Sequence, residues 1–95
     1  MSMPVSLEWV RYRGDLGKSR YLLALHLGVR DGKHVVLECQ KVPTGEVELL
    51  KALRPQLSKL SLGDRIAMVK EMCPMAMRHA YRQISDARYE VVSKY

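Results

Sequence analysis

The sequence predicts an α+β domain: an antiparallel β-sheet made of three N-terminal strands plus a C-terminal strand, with helices packed on one face. Three observations point there. Apolar residues alternate with polar ones in stretches up to residue 42, helical spacing with capping residues and prolines fills 44–85, and alternation returns at the end. Ninety-five residues are read as one domain, 1–95, long enough for one modest core.

Val5, Leu7 and Trp9 alternate with Ser6 and Glu8, which predicts a first strand over 5–13 with Trp9 on the core side. Gly14 to Ser19 supplies turn chemistry. From Tyr21 to Val29 every odd position is apolar, a strand with one strongly buried face. Arg30-Asp31-Gly32 then allows two hairpin registers. A two-residue loop sets Leu25 opposite Glu38. A three-residue loop with Gly32 left-handed sets Leu27 opposite Val35, Leu25 opposite Leu37 and Leu23 opposite Cys39, keeping apolar residues on one face, so it is preferred. The third strand is expected over 33–42, with His26, His34 and Glu38 on the opposite, more polar face.

Thr44 is the expected cap of the first helix, with Glu46 and Glu48 near its positive end. Val47, Leu50, Leu53, Leu57 and Leu60 form its apolar stripe, and Pro55 predicts a break near Arg54. Ser61, with Asp64 three residues on, is the next cap. Ile66, Val69, Cys73, Ala76, Ala80 and Ile84 keep helical spacing across Pro74, so the second helix is expected to kink there and end at Asp86-Ala87. Tyr89, Val91 and Tyr95 suggest a strand over 88–94 that joins the N-terminal sheet, because a lone strand cannot satisfy its backbone.

The formal net charge is +6 and is spread along the chain, so any site for a polyanion must be assembled by folding. The longest nearly apolar run, Tyr21 to Val29, is too short to span a bilayer as a helix, and Met1-Ser2-Met3-Pro4 does not resemble a secretory signal. The expected location is the cytoplasm, without membrane contact. Cys39 and Cys73, far apart in the chain, are expected to be reduced and buried.

Residues 9–20 carry four cations, two aromatics and two glycines. Such a hairpin is a surface for phosphates, so nucleic acid is the expected partner, bound mostly through its backbone. The residues assigned to this role are Arg11, Tyr12, Arg13, Lys18, Arg20, Arg30, Lys33, Arg78 and Arg82, with Arg88 as an extension and Tyr12 as the group that stacks on a base. Charge on an edge strand also blocks aggregation, which is the plainer account of the same arginines.

Gly17-Lys18-Ser19 resembles the end of a phosphate-binding loop, but Tyr12 stands where the first glycine should be and a strand follows instead of a helix. Cys73, Met75, Met77 and His79 are soft ligands that fall on two different helix faces, so no metal site is assigned. His26, His34 and Glu38 can do acid–base chemistry, but no nucleophile is placed beside them, and no catalytic residue or cofactor is assigned. A binding module is therefore preferred to an enzyme. The alternative is a homo-oligomeric or protein-partner-binding scaffold without catalytic activity, such as a homodimer, which uses the methionine-rich helix face.

Overall fold

The computed structural model describes residues 3–14 and 16–95. Its elements are β1 (Ser6–Arg13), β2 (Ser19–Arg30), β3 (Lys33–Glu38), α1 (Thr44–Leu57), α2 (Leu62–Met72), α3 (Pro74–Ala80), β4 (Tyr81–Ser85) and β5 (Tyr89–Lys94). Single-turn helices, Cys39–Lys41 and Asp86–Arg88, follow β3 and β4. The strands form one antiparallel sheet in the order β4-β3-β2-β1-β5. The fold is thus α+β, and the sheet has five strands where the sequence predicted four.

The turn Asp31-Gly32 connects strands that pair Arg30 with Lys33, and both turn residues have positive φ, 54° and 72°. That is the two-residue hairpin, and the expected three-residue loop is corrected. A bulge then restores the apolar pairing. The register shifts between His26 and Gly28, so Gly28 rather than Leu27 faces Val35, while Leu25 meets Leu37 as expected. Gly28 also lies under α2, since a Cβ there would sit 3.0 Å from the Leu62 Cδ1. The expected Leu23–Cys39 pair does not form, because β3 ends at Glu38.

Three helical expectations change as well. Pro55 does not break α1; it lies exposed in the last turn, where it removes one hydrogen bond and the helix ends two residues later. Thr44 is the first helical residue, not the cap, which is Pro43. Ser61 caps α2 as expected, its Oγ accepting from the Asp64 N–H at 3.2 Å. At Pro74 the chain breaks instead of kinking. Cys73 adopts φ −134° and ψ 66°, outside the helical region that a following proline disfavours, and Pro74 opens α3. Cys73 contributes no side-chain cap; the Glu46 carboxylate of α1 accepts the Ala76 N–H at 2.7 Å instead.

The expected second helix also covered 81–85, which is strand β4. Tyr89–Lys94 pairs with β1 as expected, with a bulge that leaves Val92 between the Val10–Val91 and Trp9–Ser93 pairs. The Gly14–Ser19 turn includes Asp15, which lies outside the described residues.

The core has two clusters. The larger joins Leu7, Leu25, Leu27, Val35 and Leu37 to Leu50 and Leu57 of α1, Val69 of α2, and Ala76 and Ala80 of α3. The smaller contains strand residues only: Val10, Tyr12, Leu22, Ala24, Val36, Ile84 and Tyr89. β2 is therefore buried on both sides at its middle, not on one, while Tyr21 and Val29 near its ends are exposed. Trp9 shares parity with Leu7 but belongs to neither cluster and is 43% exposed, which corrects its placement in the core.

Curvature explains how a cluster without helices is shielded from water. Ser85 ends β4 on one edge of the sheet and Tyr89 begins β5 on the other, so four Cα steps join the two edges. Those steps reach about 14 Å at most. Crossing four strand spacings in a flat sheet would need about 19 Å. The sheet must curl until its edges approach, with Val10, Ala24 and Val36 fully buried on the inside.

Arg65 of α2 is the largest fully buried side chain, at 1% exposure. Its guanidinium donates to the carbonyls of Leu60, Leu27, Met3 and Ser58 at 2.5–3.1 Å, tying α2 to β2 and to the chain after α1. Among the described residues, no helix is long and apolar enough to cross a membrane.

Candidate nucleic-acid interface

The inner face of the curled sheet carries two buried carboxylates, Glu8 on β1 and Glu38 on β3, each 2% exposed. Each is met by a tyrosine and by cations. Glu8 accepts from the Tyr89 hydroxyl at 2.9 Å, from the Ser6 hydroxyl at 2.9 Å and from the Lys94 ammonium at 2.5 Å. Glu38 accepts from the Tyr12 hydroxyl at 2.9 Å and is paired with Lys41 at 3.0 Å and with Arg82 at 3.5 Å. Burial pushes both carboxyls up; for Glu8 the bonds from Lys94, Ser6 and Tyr89, and for Glu38 those from Lys41 and Tyr12 with the Arg82 charge, outweigh it and hold them below the ordinary value. Burial and the neighbouring carboxylates raise the two phenols, so both remain donors.

Ala24 of β2 separates the two carboxylates, and a chain of imidazoles runs beside Glu8. His26 Nε2 lies 3.0 Å from His34 Nδ1, and His34 Nε2 lies 2.8 Å from Asp86 Oδ1. An ionised carboxylate only accepts, so with both rings neutral His34 donates from Nε2 to Asp86 and His26 donates to His34. That leaves His26 Nδ1 as a lone pair, and it is the buried side-chain atom without a partner among the described residues. Burial lowers the His26 pKa and keeps the ring neutral. The expected grouping of His26, His34 and Glu38 is thus divided: the histidines join Asp86, and Glu38 belongs with Tyr12, Lys41 and Arg82.

Beside Glu38 a groove of 350 Å³ opens, lined by Tyr12, Arg20, Lys41, Arg82, Ile84 and Arg88. Its cations come from β2, the turn after β3, β4 and the turn after β4. Glu38 anchors Lys41 and Arg82, two of the four cations that line the groove. Arg20 donates to the Tyr12 hydroxyl at 3.3 Å. Arg88 also borders a second hollow of 190 Å³ with Arg11, Arg13, Ser19 and Glu90. The two basic hollows meet at Arg88.

Five residues assigned from the sequence line these hollows: Tyr12, Arg20 and Arg82 the first, Arg11 and Arg13 the second. Tyr12 is 8% exposed with its hydroxyl on Glu38, so it is a wall of the groove and not a ring open to a base. Arg11 is ion-paired with Glu90. Lys18 sits near the hairpin tip with Leu16 and Arg20. Arg30 and Lys33 flank the other turn of β2, and Arg78 is on α3; these three line neither basic hollow. Sequence reasoning missed Lys41, whose approach to the groove depends on the chain turning after Glu38.

Cys73 is buried in the larger cluster, Cys39 is half-buried, both are free thiols, and burial raises both. Among the described residues, no group of three or more His, Cys, Asp or Glu side chains is arranged to hold a metal ion. No protein-family model matches the chain, and no curated protein or solved structure is significantly similar to it.

Proposed function

We propose that this protein is a small nucleic-acid-binding module that grips the phosphate backbone. One observation carries the reading: Arg20, Lys41, Arg82 and Arg88, far apart in sequence, line one groove beside the buried Glu38. Arginine offers a forked donor to phosphate oxygens and lysine a mobile point charge, so the set suits a string of phosphates. The hollow at Arg11 and Arg13 extends the cationic surface along the same end of β1. The division of the core supports the further reading that the helices pack on one face of the sheet. Contacts of this kind are largely independent of base sequence.

The test is binding to DNA and RNA as a function of salt. Affinity should fall linearly on a log–log plot, with a slope of about −2 to −3 for three neutralised phosphates. The Arg13→Ala, Arg20→Ala double variant should bind at least about tenfold more weakly and flatten that slope by about one for each phosphate it no longer neutralises. Unchanged retention by the variant, or no binding at low salt, would overturn the reading.

A homo-oligomeric or protein-partner-binding scaffold is the second reading, favoured by Met72 and Met75, which stand 44% and 42% exposed at the junction of α2 and α3. Sedimentation of a strict monomer at high concentration would count against self-association.

A further inference from the structure

Three exposed aromatic rings form a diagonal row across the outer face of the sheet. Tyr21 on β2 lies opposite Arg11, Trp9 is two residues back on β1, and Trp9 lies opposite Ser93. Tyr95, two residues beyond Ser93, donates its N–H to the Leu7 carbonyl at 3.0 Å. Each step moves one strand over and two residues along, so the three side chains share a face and are diagonal neighbours, about 7–8 Å apart. Tyr21 and Tyr95 are each 68% exposed and Trp9 43%. Lys51 of α1 lies over the Tyr95 ring, 5.7 Å from its centroid.

Cations continue the row. Arg11 and Arg13 alternate with Trp9 along β1, so they share its face, and with Ser19 they border the smaller basic hollow. Glu90 also borders that hollow and holds Arg11. Rings that lie open to water beside phosphate-binding groups match one ligand chemistry: unpaired bases on a charged backbone. In a duplex the base faces are stacked on each other and cannot reach such rings.

We infer that the ligand is single-stranded nucleic acid, with its bases stacked on Tyr21, Trp9 and Tyr95 and its phosphates held by Arg11 and Arg13. This inference rests on the nucleic-acid reading above and names the form of the ligand. It replaces Tyr12 with three other rings as the stacking groups. It also gives Glu90 a role, since a phosphate must compete with it for Arg11.

Trp9 is the only tryptophan, so its emission reports the site directly. The probes are oligothymidylate, oligoadenylate, their duplex, and an abasic sugar-phosphate oligomer of equal length. The expected results are quenching of Trp9 by both single strands, tighter binding of single strands than of duplex, and little quenching by the abasic oligomer. Trp9→Ala and Tyr21→Ser should each weaken single-strand binding by about tenfold, the usual effect of losing one stacking ring, with duplex binding unchanged. Tyr21 is the more exposed of the two, so Tyr21→Ser preserves the test if Trp9→Ala disturbs the fold. Glu90→Gln should strengthen single-strand binding. Salt-dependent binding with no quenching, or with both ring variants binding single strands like the parent, would overturn this inference and leave the phosphate reading intact. Absence of salt-dependent binding to any probe would overturn both.

Discussion

The imidazole of His34 stacks on the phenol of Tyr89, with centroids 4.1 Å apart and planes 11° from parallel. Their strands, β3 and β5, are separated in the sheet by β2 and β1. Only the curl of the sheet lets them meet. Tyr89 therefore joins one end of the sheet to the other while its hydroxyl serves Glu8. Tyr89→Phe should cost about 1–3 kcal/mol by leaving a buried carboxylate short of a donor. Tyr89→Ala should cost about 3–5 kcal/mol, as loss of a large buried ring does, and open the inner face. Chemical denaturation of both variants checks the order.

Acid should destabilise the fold in two stages. His26 is held neutral, its pKa lowered by burial from 6.5, so the unfolded chain takes up a proton before the native one does. Stability then falls as pH drops below 6.5, by up to about 1.4 kcal/mol per pH unit for one group. Glu8 and Glu38, lowered from 4.5, contribute stability above that value that is lost as pH falls through their native pKa values. Unfolding free energies between neutral and acidic pH should show the first stage, and His26→Gln should abolish it while keeping the second.

Glu46 caps a helix other than its own. Glu46→Ala should cost about 1–3 kcal/mol, the range for a lost bond to a charged acceptor, even though the residue lies in the first turn of α1. Glu46→Gln, which keeps an acceptor, should recover part of the loss. Thermal unfolding of the two variants separates this bond from an effect on α1 alone.

Arg65 bonds four carbonyls from one buried guanidinium. Arg65→Lys keeps the charge but cannot match the fork, and should cost at least about 3 kcal/mol because buried carbonyls lose their donors. Hydrogen exchange should rise at the amides of α2 and at the bulge around Gly28. A stable Arg65→Lys protein with unchanged exchange would show that this residue only fills space.

Strands written as plain alternation were legible in the sequence: β1, most of β2, the start of β3 and β5, along with the cap at Ser61. β4 was not, because Ala80 and Ile84 are four residues apart, a spacing that suits both a helix and a strand. The Asp31-Gly32 hairpin hid behind its bulge, since a period-two argument assumes an unbroken ladder. Trp9 had the right parity, but parity assigns a face and not what covers it. At the candidate interface, the arginines of the first hairpin were visible as a cluster. Lys41 was not, nor was the diagonal placing of Tyr95 against Trp9, which depends on how β5 pairs with β1. Nothing local marks Glu8, Glu38 or Arg65 as buried, since Tyr89, Tyr12 and the Leu27 carbonyl reach them from elements distant in sequence.

The outer partner of β1 is β5, and the Glu8–Tyr89 bond spans 81 positions of sequence. On the ribosome, therefore, β1 waits with one side unpaired until β5 has been made. During that interval Val10 and the Glu8 carboxylate lack their final surroundings, and the open strand can pair with another nascent chain. Arg11 and Arg13 also place repelling charges on that strand while it waits.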